Sequence, residues 1–459
     1  MELKGKKVIV IGLGKSGESA VRLLLKEGAD VLVLEKKKES ELKPRVLEEI
    51  KGLGAEVITG SQSPEFVKGA DLVVVSPGVP KEVYSEFSKV CPVIGELELA
   101  WRLLKNKPKT VAITGTNGKT TTTAMISEIL KTSGYKVFTG GNYGIPLSEL
   151  VLKGVKVDRI VLEVSSFQLE TVEEFAPNVG IILNITPDHL ERYESEREYA
   201  GYKYRMLENQ SEESKAIVHC ELPYFDEFKS KIKSEVYTYG ECGREARLLS
   251  ENRFSLKPGQ GEEVYNFDGF KLLGLHNRLN YLCASLAARL LGASPSAVQK
   301  LVRDFTGFPH RMEFVAEVGG VYFVNDSKAT NVDATLQALK SSVPPVILIM
   351  GGRHKGAGYT PLAPYIKEKV KLLILMGEAR WIIGEQLGGI VETSYAKNLE
   401  EAVFLAIKGA KPGDTVLLSP ACSSFDEFSS YEERGQRFRE LVWRYAPQVL
   451  GEKGERVWH

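Results

Sequence analysis

The segment Thr114-Gly-Thr-Asn-Gly118-Lys119-Thr120 constrains this chain more than any other stretch. It sits between a β-rich run, 110–114, and a long helical pattern that starts at Lys119. A glycine-rich turn between a buried strand and a helix is the setting of a phosphate-binding loop. Backbone N–H groups converge there, at the positive end of the helix dipole. Lys119 can neutralise charge between terminal phosphates, and the Thr120 hydroxyl is placed to ligate Mg²⁺. The usual first glycine, five residues before Gly118, would fall at Ile113 and is missing; Gly115 supplies the flexibility later.

Around that loop the chain alternates β-rich and helical stretches in three blocks, about 1–107, 108–309 and 310–459. At roughly 100–200 residues per domain, two to four domains are expected. In the first block, strands over 7–11, 31–35 and 72–75 alternate with helical spacing over 18–26 and 47–51. Strands buried on both faces between helices imply a doubly wound parallel sheet. KNKPK at 105–109 reads as a linker. The second block adds strands over 110–114, 160–164 and 179–185, and its run 216–272 reads as a small β-rich appendage. The third returns to α/β alternation, with strands over 346–350, 372–376 and 415–419 and a helix over 399–407. The expected fold is therefore α/β in three domains: a Rossmann-like N-terminal sheet, a central P-loop ATPase-type domain and a Rossmann-like C-terminal domain.

Composition excludes several function classes. Lys plus Arg and Asp plus Glu number 60 each, so no basic excess supports nucleic-acid or membrane-surface binding. The 5 cysteines are scattered with no CxxC pair, which argues against a disulfide framework or zinc site and for a reducing compartment. No apolar run approaches the ~20 residues needed to span a bilayer, and the N-terminal apolar stretch is too short for a signal peptide. A cytoplasmic monomer acting on small molecules is expected.

Other motifs surround the phosphate loop. Gly12-Leu-Gly14-Lys15-Ser16-Gly17 follows the first strand, and Glu35 closes the next. Alone this turn suits NAD, a UDP-sugar or no ligand at all. Glu163 ends a buried strand in LEVSSFQLE, where an ionised carboxylate needs a partner, and His189 follows another strand in NITPDHLERY. Both are candidate Mg²⁺ ligands, although Mg²⁺ prefers oxygen to imidazole. Lys203 in YAGYKYRML reads as an ordinary surface lysine. In the third block, NDSKATN (325–331), GGRHKGAGY (351–359) and SPACSSFDEF (419–428) are polar loops after strands, suited to a second ligand surface or to helix capping.

TGTNGKT, GGNYG, LEVSSFQLE, DHLERY, HNRLN, FPHRME, NDSKATN and SPACSSFDEFSSYEERG, in that order and across the whole chain, resemble the Mur ligase family. NDSKATN and SPACSSFDEF are closest to its D-glutamate-adding branch, and the Asp-Asn-Pro signature of diaminopimelate- or lysine-adding members is not found. The resemblance implies ATP-dependent joining of D-glutamate to UDP-N-acetylmuramoyl-L-alanine through an acyl phosphate, in peptidoglycan precursor synthesis. It assigns the UDP-substrate to Gly14, Lys15, Ser16, Glu35, Lys36, Ser76, Pro77, Gly78, Asn142 and Gln168. ATP falls to Gly115, Thr116, Asn117, Gly118, Lys119, Thr120 and Thr121, with Asn277 and Asn280 facing adenine and Arg311 and Asp326 the rest of the nucleotide. Two Mg²⁺ ions would draw on Thr120, Glu163, His189 and a carbamylated Lys203. D-glutamate falls to Lys328, Thr330, Lys355, Ser424 and Tyr431, the last standing where a Phe is more usual. Related amide ligases, an NAD-dependent dehydrogenase and a non-catalytic UDP-sugar sensor are the alternatives.

Overall fold

The computed structural model describes residues 1–186, 192–272, 274–354, 356 and 358–451, with 333 described in its backbone only. The described strands form three sheets. The first holds β1 (Lys7–Ile11), β2 (Asp30–Glu35), β3 (Glu56–Thr59), β4 (Leu72–Val75) and β5 (Val93–Gly95), in the order β3-β2-β1-β4-β5. All its pairings are parallel. Val8, Ile9 and Val10 are wholly buried, as expected for a strand covered by helices on both faces.

The second sheet holds β6 (Lys109–Thr114), β7 (Val137–Gly141), β8 (Arg159–Glu163), β9 (Val179–Ile182), β10 (Lys215–His219), β11 (Glu235–Gly240), β12 (Ala246–Ser250), β13 (Arg253–Leu256) and β14 (Glu263–Asn266). Their order is β14-β13-β12-β11-β10-β9-β6-β8-β7. The run 216–272, read as a β-rich appendage on the central domain, continues that domain's sheet. Lys215 of β10 pairs in parallel with Val179 of β9, so the short strands extend the existing ladder, and only β12-β13-β14 turn antiparallel. The third sheet holds β15 (Glu313–Val318), β16 (Val321–Asn325), β17 (Val346–Gly351), β18 (Val370–Met376), β19 (Glu392–Tyr395) and β20 (Thr415–Leu418), ordered β15-β16-β20-β17-β18-β19. It is parallel except for β15.

The chain divides into two compact units, Met1–Asp268 with Arg278–Val302, and Gly269–Asn277 with Arg303–His459. Within the first unit, three buried glutamates join the first sheet's layer to the second's. Glu98 accepts N–H groups of Glu173, Glu174 and Phe175 at 2.9–3.0 Å, and Arg102 Nε at 2.6 Å. Glu170 is gripped by Arg192 at 2.8 and 2.6 Å and by the hydroxyls of Tyr84 and Tyr193 at 2.6 and 2.7 Å. Arg192 also donates to the Val79 carbonyl at 3.0 Å. Glu96 accepts the Ser148 N–H and hydroxyl at 2.7 and 2.6 Å, while burial pushes its carboxyl above the usual range.

The cysteine expectation is overturned at one pair. Cys220 and Cys242 are disulfide-bonded with Cα atoms 5.8 Å apart, while Cys91, Cys283 and Cys422 are buried and free. The two follow the adjacent parallel strands β10 and β11, so sheet pairing unites residues that look scattered in sequence. Among the described residues, no helix is long and apolar enough to cross a membrane.

Candidate active site

Strand register gathers the central motifs at one end of the second sheet. Ile113 of β6 lies beside Glu163 of β8, Thr114 beside Ile182 of β9, and Gly141 of β7 beside Glu163. The loop 115–118, Glu163, Asn142 and the segment 183–186 therefore emerge side by side. Open α/β sheets bind ligands at this carboxyl edge.

The loop's glycines are fixed by what faces them. Gly115 has φ +147°, and a Cβ there would meet Leu183 Cβ at 3.0 Å and Asn184 backbone atoms at 3.3 Å. Gly118, at φ +82°, starts the helix Lys119–Thr132, and a Cβ would come within 2.6 Å of Asn280 Oδ1. The glycine absent at Ile113 is absent because that residue is a wholly buried strand position; the close approach comes two residues later. Asn280, expected at adenine, is placed against the loop itself.

Lys119 folds back to donate to the carbonyls of Gly115 and Thr116 at 2.9 and 2.8 Å. The helix opens with the Thr122 N–H on the Gly118 carbonyl at 2.9 Å, and a helix start behind a glycine-rich turn is a setting that suits an anion. Not all loop N–H groups point that way. Thr116 and Asn117 donate theirs to Asn184, which had no role in the sequence expectations. Thr120 and Thr121 open the same helix; Thr120 is buried.

Glu163 is 3% exposed. One of its oxygens accepts Asn142 Nδ2 at 2.9 Å, and its carbonyl accepts the Asn142 N–H at 2.8 Å. Its Oε2, like Thr114 Oγ1, is buried with no hydrogen-bond partner among the described residues. A buried carboxylate oxygen without a donor is costly, and a hard cation beside it would remove that cost. These oxygen donors fit Mg²⁺.

Lys203 is corrected from surface lysine to core: it is 1% exposed, on the helix Glu196–Glu208. Its Nζ donates to the Gly115 carbonyl at 3.1 Å and lies 4.2 Å from the centre of the Tyr199 ring. It therefore borders the phosphate loop. His189 lies outside the described residues.

In the N-terminal turn, Gly12 has φ +87°, and a Cβ on Gly17 would fall 2.0 Å from the Gly12 carbonyl oxygen. Glu35 turns inward: one oxygen accepts the Leu13 N–H at 2.6 Å, the other the Lys37 N–H at 2.9 Å. Ser76 Oγ donates to the Gly12 carbonyl at 2.7 Å. Lys15 donates to the Gly144 carbonyl, while Gly14, Lys36 and Gly78 are exposed and Ser16 and Pro77 half-buried. Gln168 Oε1 accepts the Ser165 N–H at 3.1 Å, capping its own short helix.

In the second unit, Asp326 is buried and accepts the Met312 N–H at 3.1 Å and the Ser419 hydroxyl at 2.9 Å. Burial pushes its carboxyl up to about 7, against those hydrogen bonds and the nearby Arg311. Lys328 Nζ lies 5.8 Å from the Tyr431 ring centre, and His310 packs edge-on to the same ring at 6.4 Å. Thr330 is half-buried beside Lys328, and Ser424 is buried with its carbonyl accepting two N–H groups. Asn277 is half-buried and donates its N–H to the Gly274 carbonyl; Lys355 lies outside the described residues. Asn331 and Ser430 do act as helix caps.

Arg434 is a further residue without an earlier role. It is 1% exposed and donates to Ser327 Oγ and carbonyl, both at 2.9 Å, and to the Cys422 carbonyl at 3.2 Å. It thereby fastens the NDSKATN loop to the SPACSS loop, and burial lowers its guanidinium to about 10. Its sequence signals were its place in SPACSSFDEFSSYEERG and helical spacing from the buried Phe438.

Three family descriptions match the chain in series: Mur ligase MurD-like, N-terminal domain over 6–91, Mur ligase middle domain over 113–288, and Mur ligase, glutamate ligase domain over 310–422. A UDP-N-acetylmuramoylalanine--D-glutamate ligase of Citrifermentans bemidjiense is 43% identical over 99% of this chain and 100% of its own length. One from Caldanaerobacter subterraneus subsp. tengcongensis is 41% identical over 96% and 99%. In fold, the chain is similar to the MurF ligase of Thermotoga maritima in complex with ADP, with TM-score 0.55, 17% identity and coverage of 97% and 96%. A pseudomurein peptide ligase type C from Methanothermus fervidus is similar at TM-score 0.54, 21% identity and coverage of 96% and 100%.

Proposed function

The chain belongs to the Mur ligase family, and from that premise we propose that it joins D-glutamate to UDP-N-acetylmuramoyl-L-alanine at the expense of ATP. End-to-end likeness to relatives bearing that activity in their names carries the proposal. ATP phosphorylates the substrate carboxylate, the D-glutamate amine attacks the acyl phosphate, and phosphate leaves to give the amide. Phosphorylation supplies the leaving group that a carboxylate lacks.

Residues 1–107 take the UDP-substrate, 108–309 the ATP phosphates and 310–459 the amino acid. Lys119 leaves its loop carbonyls to meet the phosphates, together with the N–H groups of the helix start. Thr120 and Glu163 would hold Mg²⁺, which when bound would neutralise phosphate charge. Loss of one proton from the Lys203 ammonium, then addition of CO₂ with loss of a second, would convert a buried cation into a carbamate anion beside the same loop. Lys328 and the Tyr431 hydroxyl suit a dicarboxylate. For Asn277, Arg311 and Asp326 the nucleotide role rests on the family likeness. The enzyme acts in the cytoplasm as a monomer.

Phosphate release from ATP with UDP-N-acetylmuramoyl-L-alanine, comparing D-glutamate, L-glutamate, L-alanine and diaminopimelate, tests this. Release with D-glutamate alone is expected. Release with another amino acid would keep the ligase chemistry and overturn the assignment of the third domain.

A further inference from the structure

We propose that Asn184 is a positioning residue for phosphoryl transfer, holding the loop 115–118 in its phosphate-binding shape. The proposal rests on the assignment of that loop to ATP. Asn184 follows β9, the neighbour of β6 in the sheet, so it leaves the sheet beside the loop it grips. Its Oδ1 accepts the N–H groups of Thr116 and Asn117 at 3.1 and 2.8 Å. Its Nδ2 donates to the Asn117 carbonyl at 3.1 Å, and its own carbonyl accepts the Thr116 N–H at 3.1 Å.

One amide thus closes both backbone polar groups of Asn117 and the N–H of Thr116. Asp could accept but not donate, and a hydroxyl cannot span both N–H groups while donating to the carbonyl. Around this grip, Thr116 Oγ1 donates to the Thr186 carbonyl at 3.2 Å and accepts the Thr186 N–H at 3.1 Å. Behind it, the buried Tyr239 hydroxyl donates to the Leu183 carbonyl at 2.9 Å. The close packing of Gly115 on Asn184 leaves the loop no room to shift toward β9.

Two consequences separate this role from a general structural one. The inward N–H groups are withheld from phosphate, so anion binding falls to Lys119 and the helix start. Releasing them would let the loop relax and misplace the Gly115 and Thr116 carbonyls on which Lys119 rests. Nucleotide affinity and the KM for ATP should therefore suffer, while the UDP-substrate, held by another turn, is unaffected.

The test uses the full chain as Asn184→Ala and Asn184→Ser, with Mg²⁺-ADP and UDP-substrate affinities by calorimetry, KM and kcat for ATP, and the melting temperature. Weakening of ADP binding and a rise in KM for ATP of about tenfold are expected from releasing the loop. UDP-substrate affinity should stay within about twofold, and Ser should be milder than Ala. Wild-type ADP affinity in both variants would overturn the proposal. So would parallel loss of both ligands with a lowered melting temperature in both variants, the mark of a merely structural residue. If Ala misfolds, Ser decides by the same criteria. Wild-type protein that binds no ADP would instead refute the assignment of the loop.

Discussion

The first unit contains two glycine-rich strand-to-helix turns, and they are fastened by opposite means. At 12–17 the clamp is a carboxylate: Glu35, at the end of β2 beside β1, accepts the Leu13 N–H. At 115–118 it is a neutral amide: Asn184, just past β9 beside β6, takes two N–H groups. In each case the neighbouring strand supplies the clamp, so the geometry is common and only the charge differs. At an effective dielectric of about 20, a unit negative charge about 5 Å from a carboxylate costs about 3 kcal/mol. A triphosphate therefore favours the amide-clamped loop. The carboxylate-clamped turn suits the uncharged part of a nucleotide, or phosphates only where Lys15 and Lys36 offset Glu35.

The comparison predicts effects of descending size. Lys119→Ala should lower phosphate release by about 10³-fold with UDP-substrate affinity kept, because its cation belongs to the loop 115–118 and not to the turn 12–17. Loss of UDP-substrate binding in that variant would break the separation of the two turns. Lys203→Ala should lose most activity, and added acetate should restore part of it by returning a carboxylate beside the Gly115 carbonyl; full activity in the variant would remove Lys203 from the site.

Glu35→Ala leaves two N–H groups unpaired, worth about 1–3 kcal/mol. Calorimetry should show UDP-substrate affinity falling by about tenfold or more while Mg²⁺-ADP affinity is unchanged; loss of ADP binding would show that the turns are not independent. The smallest effect tests another buried carboxylate, Asp326, which has one N–H and one hydroxyl for company. Its folded pKa, about 7, lies above the ordinary carboxylate value, so the folded state binds the extra proton. Its contribution is thus fully present at low pH and is lost as pH rises from about 4 through about 7. Asp326→Asn should flatten that part of the stability profile in chemical denaturation; an unchanged slope would show that burial does not hold the proton.

The central strands β1, β2, β4, β17, β18 and β20 were legible because runs such as KVIVI and VILIMG have no other home than a parallel sheet's interior, whereas β3, β5, β15 and β19 carry no such run. TGTNGKT was legible because phosphate binding demands contiguous residues. Asn184 was not, since its partner lies 67 residues away and its identity means nothing until β9 is known to flank β6. The same holds for the Glu170–Arg192 pair, both within quoted motifs, and for Cys220–Cys242, which meet only through strand pairing. The burial of Lys203 beside the loop was not legible from its spacing, because burial of one face of a polar helix leaves no periodic mark. The run 216–272 was legible as a β-rich appendage on the central domain, but its continuity with that domain's sheet was not, because sheet edges extend by backbone hydrogen bonds that side-chain pattern does not report.

The seam of Glu96, Glu98 and Glu170 makes the first two sheets a length gauge. A carboxylate that ends three backbone N–H groups on another layer, and a second held by a guanidinium and two phenols, leave that seam little give. A molecule anchored at the turn 12–17 and reacting at the loop 115–118 must span a fixed interval. Homologues of the substrate shorter or longer by one residue would be excluded by reach, without any contact that recognises the missing or added group.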